Sequence, residues 1–210
     1  MFLRKEDFEA SKELKDQVSM LLYEGLAACK PQVTLRAPRV DRYYLYTSPS
    51  LNMCVHLGVK DRGYVESATR TTPELPLELK LCHATANGCM FQGLQKWEKK
   101  TAVKAKDVEA VVRQEGYIME GETMNQAGCV DISKRRTQGA YLQMDELVVG
   151  EGHLWISLCI EGSKMGTVKR NVANSKLFPI LSQLREKVVY GGYPTFVSFY
   201  SFPFTDFLIL

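Results

Sequence analysis

The chain has 210 residues, of which 45% are hydrophobic and 24% are charged, and 27 Lys+Arg against 24 Asp+Glu leave a net charge of +3. At about 150 residues per domain, this length suits one large domain or two small ones, and the apolar content excludes wholesale disorder. A charge of +3 does not identify a nucleic-acid-binding protein by itself. The apolar stretches are all shorter than the roughly 20 residues that a membrane helix needs.

The N-terminal segment and the cysteines indicate a cellular location. Residues 1–15 contain acidic side chains from position 6 onward and lack the apolar core of a secretory signal. The six cysteines are scattered among mostly apolar neighbours, which is typical of reduced thiols packed inside an intracellular protein. The sequence therefore predicts an intracellular protein, cytoplasmic or organellar, without membrane association.

Helical spacing of apolar residues predicts three helices. They cover about 6–28, 105–115 and 175–188. Pro31 follows the first helix, Gly116 is placed to end the second, and Pro179 must lie in the first turn of the third.

Short runs bounded by Pro, Gly, Ser or Asp are typical of antiparallel strands. These runs cover 32–37, 42–47, 54–60, 77–82, 127–135, 140–149, 153–161 and 195–202. Residues 66–76 resemble a long hairpin connection. Many strands, about three flanking helices and the absence of βαβ alternation predict a single α+β domain over 1–210, with an antiparallel sheet closed into a barrel.

Charges on the predicted strands are informative, because residues two apart share one face of a sheet. In the strand 77–82, three leucines take one face, so that Glu78 and Lys80 share the other. Lys134 and Arg136 likewise share a face of their strand. Two interpretations are open: a solvated sheet face with a weak Glu–Lys pair, or a cation-lined barrel interior that binds a polyanion such as a polyphosphate.

Several short motifs follow one another in an order that resembles the CYTH (triphosphate tunnel metalloenzyme) family. Residues 41–51, DRYYLYTSPSL, and 76–81, PLELKL, are similar to its Tyr-Tyr-Asp-Thr-Pro-x-Leu segment and Glu-Leu-Lys strand. Residues 130–136, VDISKRR, resemble its Lys-x-Arg strand, and residues 141–147, YLQMDEL, resemble its Leu-Asp-x-Val strand. A helix before VTLR, at 33–36, is most similar to the thiamine triphosphatases of the family, and the order of elements matches over about 1–202.

The resemblance implies an eight-stranded antiparallel barrel that holds a triphosphate on basic side chains, with Mg²⁺ or Mn²⁺ bound by carboxylates. The implied phosphate-binding residues are Lys80, Lys134 and Arg136, supported by Lys60, Arg42 and Lys5. The carboxylates that remain as metal ligands are Glu78, Glu98 and Asp145, together with Glu161. Known members hydrolyse thiamine triphosphate, tripolyphosphate or RNA 5′ triphosphates, and one class is an adenylate cyclase.

The sequence departs from the family at the metal centre. Alignment of the N-terminal strand places Met1 and Leu3 at two glutamate positions and keeps only Lys5, while Trp155 and Ser157 replace two later carboxylates. A hard divalent cation needs oxygen ligands, which Met, Leu and Trp do not supply. The sequence therefore predicts a cationic pocket whose metal centre has degenerated, with Mg²⁺ or Mn²⁺ required only if the protein is active.

Three functions stay open. The first is a CYTH-like domain that binds a triphosphate-bearing small molecule, such as a nucleotide, or an RNA 5′ end, with weak or lost hydrolase activity. The second is a metal-dependent hydrolase of tripolyphosphate or thiamine triphosphate. The third is a non-catalytic scaffold subunit, whose apolar C-terminal tail at 207–210 docks on a protein partner or on a second copy. Residues 96–100, KWEKK, are interpreted as a solvated connection or as a basic patch that touches a nucleic-acid backbone.

Overall fold

A computed structural model of the chain describes residues 1–23, 34–48, 57–63, 77–83, 96–139, 142–159, 176–189, 193 and 196–197, with the backbone alone at 82–83 and 96–102. Its contacts divide the chain into two compact units. The first unit comprises 1–39 and 133–189, and the second comprises 40–132 and 190–210. The single domain predicted over 1–210 stays a prediction.

The described strands form an antiparallel sheet. The strands are β1 (Phe2–Arg4), β2 (Thr34–Leu35), β3 (Arg39–Thr47), β4 (Leu57–Arg62), β5 (Leu77–His83), β6 (Lys96–Val103), β7 (Asn125–Gln138), β8 (Gln143–Val149), β9 (His153–Cys159) and β10 (Val188–Val189). Hydrogen-bonded neighbours follow the order β10-β1-β9-β8-β7-β3-β4-β5-β6, and β2 also pairs with β7. Pairings among the described residues do not join β6 to β10, so closure into a barrel stays a prediction.

Helices accompany these strands and confirm an α+β fold. They are α1 (Lys5–Ala10), α2 (Lys12–Tyr23), α3 (Val108–Gln114) and α4 (Leu177–Gln183), with 3-10 turns at Ala105–Asp107 and Arg185–Lys187. None of the helices in the described part of the chain is long and apolar enough to cross a membrane.

In the first unit, the predicted helix over 6–28 is divided in two. The hydroxyl of Ser11 accepts a hydrogen bond of 3.3 Å from the N–H of Leu14, an N-cap contact that starts α2 as a separate helix. The helical spacing of apolar residues is confirmed in α2, where one stripe of side chains is 0% to 3% exposed: Leu14, Val18, Leu21 and Leu22. Residues 24–28 lie outside the described residues.

The third predicted helix, over 175–188, is shorter than expected. It ends at Gln183, and Val188 instead pairs with Leu3 of β1 in β10. Two β-branched valines favour this extended pairing over another helical turn. Pro179 lies in the first turn of α4, as predicted, where its missing N–H removes no helical hydrogen bond.

In the second unit, one face of β4 and β5 carries the apolar core. The predicted leucine face of β5 is confirmed, because Leu77, Leu79 and Leu81 are 0% to 1% exposed. They pack in one cluster with residues of β4, β6 and α3: Leu57, Val59, Val103, Val108 and Val112. The second predicted helix is confirmed as α3 after a 3-10 turn, and Gly116 follows it with a φ of +78° that favours glycine.

Two sequence interpretations are wrong. Residues 96–100 are not a connection but the start of β6, which pairs with β5. A lysine-rich run shows no alternation of apolar and polar residues, so it hides the strand pattern. Phe196 and Val197 are helical and buried rather than part of a strand over 195–202, since packing overrides β propensity there. The connection 66–76 and the tail 207–210 lie outside the described residues.

Candidate functional site

The second unit carries a charged strand face opposite its leucine core. In the pairings of β3, β4 and β5, Lys60 lies opposite Tyr43 on one side and Glu78 on the other, and Lys80 lies opposite Gly58. Directly opposed residues share a face, so these side chains lie together, away from the leucines. Lys60 is 6% exposed and Glu78 is 7% exposed. The prediction that Glu78 and Lys80 share a face of β5 is therefore confirmed, whereas Glu78 is buried rather than solvated and forms an ion pair with Lys60.

Lys60 is the centre of a buried ion cluster. Its Nζ lies 3.2 Å from Oδ2 of Asp41 and 3.1 Å from Oε1 of Glu78, and 5.6 Å from the ring centroid of Tyr43. Asp41 is fully buried, and its Oδ1 accepts a hydrogen bond of 3.1 Å from the N–H of Gly63. A buried ammonium group is tolerated only when it is paired in this way. Lys60 thus serves as an internal counter-ion for two carboxylates.

The first unit carries a second polar face, on β8, β9 and β1. Asp145 lies opposite Ser157, and Ser157 lies opposite Phe2 of β1. Trp155, two residues before Ser157, lies on the same face and opposite Arg4. Asp145 is 0% exposed and Ser157 is 2% exposed, so this polar face is also buried.

Arg136 and Asp145 form a bidentate ion pair on this face. Nε and Nη2 of Arg136 donate hydrogen bonds of 2.7 and 3.0 Å to Oδ1 and Oδ2 of Asp145. The amide Nε2 of Gln143 donates a further hydrogen bond of 3.2 Å to Oδ2. Lys134 lies on the same face of β7, two residues before Arg136, and is 3% exposed. The guanidinium group of Arg136 has two parallel N–H donors, which suit a phosphate. In this structure they bind the carboxylate of Asp145, whose two oxygens have a similar geometry.

Glu78 and Lys80 belong to the second unit, whereas Lys134 and Arg136 belong to the first. The interpretation that all four side chains line one barrel interior therefore stays a prediction.

Arg4 is a polar-face residue that sequence analysis missed. Its Cζ lies 4.4 Å from the ring centroid of Trp155, and its Nη1 lies 3.3 Å from Nδ1 of His153. Leu3, which the sequence alignment placed at a ligand position, lies opposite Ile156 on the other face. Lys5 is already the first residue of α1. The strand β1 has only three residues, so its sequence shows no alternation that would assign Arg4 to one face. Only the pairing of β1 with β9 shows that Arg4 lies on the polar face.

Two of the predicted phosphate-binding residues lie away from these polar faces. Arg42 alternates with Tyr43 along β3, and its Nε and Nη2 donate hydrogen bonds of 2.7 and 2.8 Å to the carboxylate of Asp131. Lys5 lies 3.7 Å from Glu9 and 4.0 Å from Glu146, where it lines a cleft of about 130 Å³ in the first unit. Both cations therefore take part in partly exposed ion pairs.

Two tyrosines on the Arg42 side of β3 have perturbed pKa values. Burial, followed by the charge of Asp61, raises the pKa of Tyr44 to about 12. Burial also raises the pKa of Tyr46. Both hydroxyl groups therefore stay protonated at neutral pH, and neither suits the role of a general base.

Two of the predicted metal ligands, Glu78 and Asp145, are already paired with other side chains. Glu78 is engaged by Lys60, and both oxygens of Asp145 accept hydrogen bonds from Arg136 or Gln143. Glu98 lies opposite Leu81 in the register of β6, not opposite Lys80. Within the described residues, no group of three or more His, Cys, Asp or Glu side chains could hold a metal ion. The predicted set of Glu78, Glu98 and Asp145 stays a prediction, and Glu161 lies outside the described residues.

Comparison with known proteins gives distant structural likeness only. No protein-family model matches the chain, and no curated protein matches it. A "putative adenylate cyclase" from Vibrio parahaemolyticus is 10% identical with a TM-score of 0.49, covering 94% of this chain and 95% of that one. A protein from Pyrococcus horikoshii OT3 is 9% identical with a TM-score of 0.46, at 82% and 84% coverage. A conserved hypothetical protein from Pyrococcus furiosus is 9% identical with a TM-score of 0.44, at 92% and 95% coverage. These values carry no functional argument, so the CYTH resemblance continues to rest on the sequence motifs.

Proposed function

We propose that this chain is a CYTH-like domain that binds a triphosphate-bearing ligand on its buried polar strand faces, with weak or lost hydrolase activity. The observation that supports the proposal is the burial of charge, since Lys60, Glu78, Lys134 and Asp145 are between 0% and 7% exposed. The polar face of an antiparallel sheet is ordinarily solvated. Buried charge costs stability unless it is paired, and binding sites for polar ligands are a common reason for its retention.

In this proposal, Lys80, Lys134 and Arg136 contact the phosphates. Lysine offers a compact positive charge, and arginine offers two parallel N–H donors that match a phosphate as well as they match a carboxylate. Lys60 supports Glu78 and Asp41 instead of contacting the ligand. Arg42 and Lys5 take no part, because each forms an ion pair away from the polar faces.

Binding is favoured over hydrolysis for a chemical reason. Attack on a phosphoryl group that carries several negative charges needs metal ions to neutralise the developing charge and to activate water. The described carboxylates on the polar faces are committed to cations, as Glu78 is to Lys60 and Asp145 is to Arg136. Such a site retains attraction for a polyanion, and its described carboxylates supply no free ligand set for a metal that turnover would need.

Ligand-induced stabilisation tests the binding proposal. Tripolyphosphate, ATP, thiamine triphosphate or triphosphorylated RNA, each with and without Mn²⁺, is expected to raise Tm by about 5–10 °C at 100 times its Kd, because only the folded chain binds it. Lys134→Gln should reduce this shift. Arg135→Gln removes the same charge from the neighbouring exposed residue and should leave the shift unchanged. The proposal is wrong if no triphosphate shifts Tm, or if both variants lose the shift equally.

Phosphate release separates a binding domain from a hydrolase. With tripolyphosphate and Mg²⁺ or Mn²⁺, the wild-type chain is expected to show little turnover. Rapid turnover that a Lys80→Ala/Lys134→Ala double variant abolishes would show that the enzyme hypothesis is right and that the hydrolase activity is not lost.

A further inference from the structure

Gln143 has an unusual arrangement on the polar face of the first unit. The residue is 4% exposed, and its Nε2 donates a hydrogen bond of 3.2 Å to Oδ2 of Asp145. Its Oε1 is also buried, yet within the described residues no group donates a hydrogen bond to it. Buried polar atoms are nearly always hydrogen-bonded, so an acceptor left in this state needs an explanation.

The orientation of the Gln143 amide is fixed by its neighbours. Both oxygens of the Asp145 carboxylate accept hydrogen bonds from N–H groups of Arg136, so both act as acceptors. Turning the amide over would place Oε1 against this carboxylate, so that two acceptors would face each other. Oε1 therefore points away from Asp145, and none of the described groups donates a hydrogen bond to it.

We propose that Gln143 is a specificity-determining residue, whose Oε1 accepts a hydrogen bond from a hydroxyl or amino group on the organic portion of the ligand. This inference rests on the proposed function. Ionised phosphate oxygens are acceptors only and cannot satisfy Oε1. The ligand therefore carries a donor beside its triphosphate, as a nucleoside triphosphate does and inorganic tripolyphosphate does not.

Hydrogen bonds join Gln143 to Asp145 and Asp145 to Arg136, so that the three side chains form one linked group. One end of the linked group is the guanidinium proposed to hold a phosphate, and the other end is the buried acceptor. A ligand that contacts both ends would be recognised by its negative charge at Arg136 and by its hydrogen-bond donor at Gln143. A site that hydrogen-bonds a ligand group discriminates against analogues that lack it, because the buried partner is then left unsatisfied.

Calorimetric titration of the full chain tests the inference. The probes are ATP, 2′,3′-dideoxy-ATP, which lacks the ribose hydroxyls, purine riboside triphosphate, which lacks the amino group, and tripolyphosphate. The wild-type chain should bind ATP about tenfold tighter than whichever of the two analogues lacks the contacted donor. Gln143→Met, which keeps the length of the side chain without its polar atoms, should bind ATP and that analogue equally.

Gln138→Met is the matched control, because Gln138 accepts a hydrogen bond from Arg36 in an exposed pair outside this group. It should preserve the tenfold preference. If the wild-type chain binds ATP and both analogues equally, the inference is wrong, and this comparison needs no variant to fold. A preference that persists in Gln143→Met would also overturn it. Failure of all four probes, and also of thiamine triphosphate and triphosphorylated RNA, to bind would instead overturn the proposed function.

Discussion

At Lys60, one ammonium group is held between the buried carboxylates of Asp41 and Glu78. Replacement of Lys60 by Met would leave both acids buried with no cation between them. Removal of one partner from a buried ion pair typically costs about 3–5 kcal/mol. We therefore expect Lys60→Met to lower the free energy of unfolding by that amount in urea denaturation.

Arg135 provides the control, because its pair with Glu146 is exposed, at 52% and 37% of the two side chains. Arg135→Met should cost only about 0–1 kcal/mol. Neutralising the acids together with the lysine, in Lys60→Met/Asp41→Asn/Glu78→Gln, should restore much of the lost stability. Equal costs for Lys60→Met and Arg135→Met would show that the cluster is not buried as described.

Substitution of Asp145 distinguishes an anion-binding site from a metal site. In Asp145→Asn, the Arg136 fork would lose its charged partner, and a polyphosphate would no longer compete with a carboxylate for it. We expect the affinity for tripolyphosphate without metal to rise about tenfold, measured by calorimetry.

Asp131→Asn removes a carboxylate from the ion pair with Arg42, away from the polar faces, and should leave this affinity unchanged. If Asp145 were a metal ligand, Asp145→Asn would instead weaken Mn²⁺-dependent binding and leave metal-free binding unimproved.

At the scale of elements, α3 is joined to the chain that follows it by one glutamate–arginine pair. The carboxylate of Glu109 accepts hydrogen bonds of 2.8 Å from Nη2 of Arg113 and 3.2 Å from the N–H of Met124. Arg113 also donates to the carbonyl groups of Met119 and Glu122. These contacts attach residues 115–124 to the helix.

The pair at Glu109 predicts a pH dependence. Hydrogen bonds from Arg113, and then from Met124, hold the pKa of Glu109 below its ordinary value. A carboxyl group with a lowered folded-state pKa contributes stability that is present above its unfolded pKa and lost as pH falls through its folded pKa. Glu109→Gln should therefore destabilise the chain at pH 7, and the difference from wild type should disappear in acid.

Denaturation curves measured from pH 7 down to pH 3 would check this prediction. Glu120→Gln, at an exposed position between Met119 and Gly121, should differ little from wild type at every pH. A Glu109→Gln difference that stays constant across the range would mean that ionisation of Glu109 contributes nothing.

The elements that sequence analysis found are those with a clear period. The apolar stripe identified the helix α2, and the alternating leucines identified the strand β5. Alternation along the strands also assigned Glu78 and Lys80 to one face, and Lys134 and Arg136 to one face. By contrast, β1 is too short to show a period, and the lysines of β6 hide one. The partners of the cations were missed for another reason, since the pairing of Lys60 with Asp41 depends on register between strands, which a single sequence does not reveal.

At the scale of the whole molecule, neither compact unit is a continuous stretch of sequence. The first combines 1–39 with 133–189, and the 14-residue strand β7 contributes residues to both units. A cut at any single peptide bond would therefore not separate the two units as intact segments.

The apolar tail at 207–210 lies outside the described residues, and its docking on a protein partner or on a second copy stays a prediction. A chain that ends at residue 203 is expected to lose any self-association and to become more soluble, because an exposed apolar end favours contact with another surface. Light scattering on both chains would check this. Identical mass and solubility would count against docking by the tail.

Pairing of β1 with β9 has a consequence during synthesis on the ribosome. Phe2 lies opposite Ser157, and at about 5–20 residues per second the intervening chain takes roughly 8–30 s to translate. Throughout that interval, Phe2 and Leu3, which are 2% and 0% exposed after folding, have no strand β9 to cover them. A nascent chain stalled before Ser157 would therefore present these side chains to chaperones that bind exposed apolar segments.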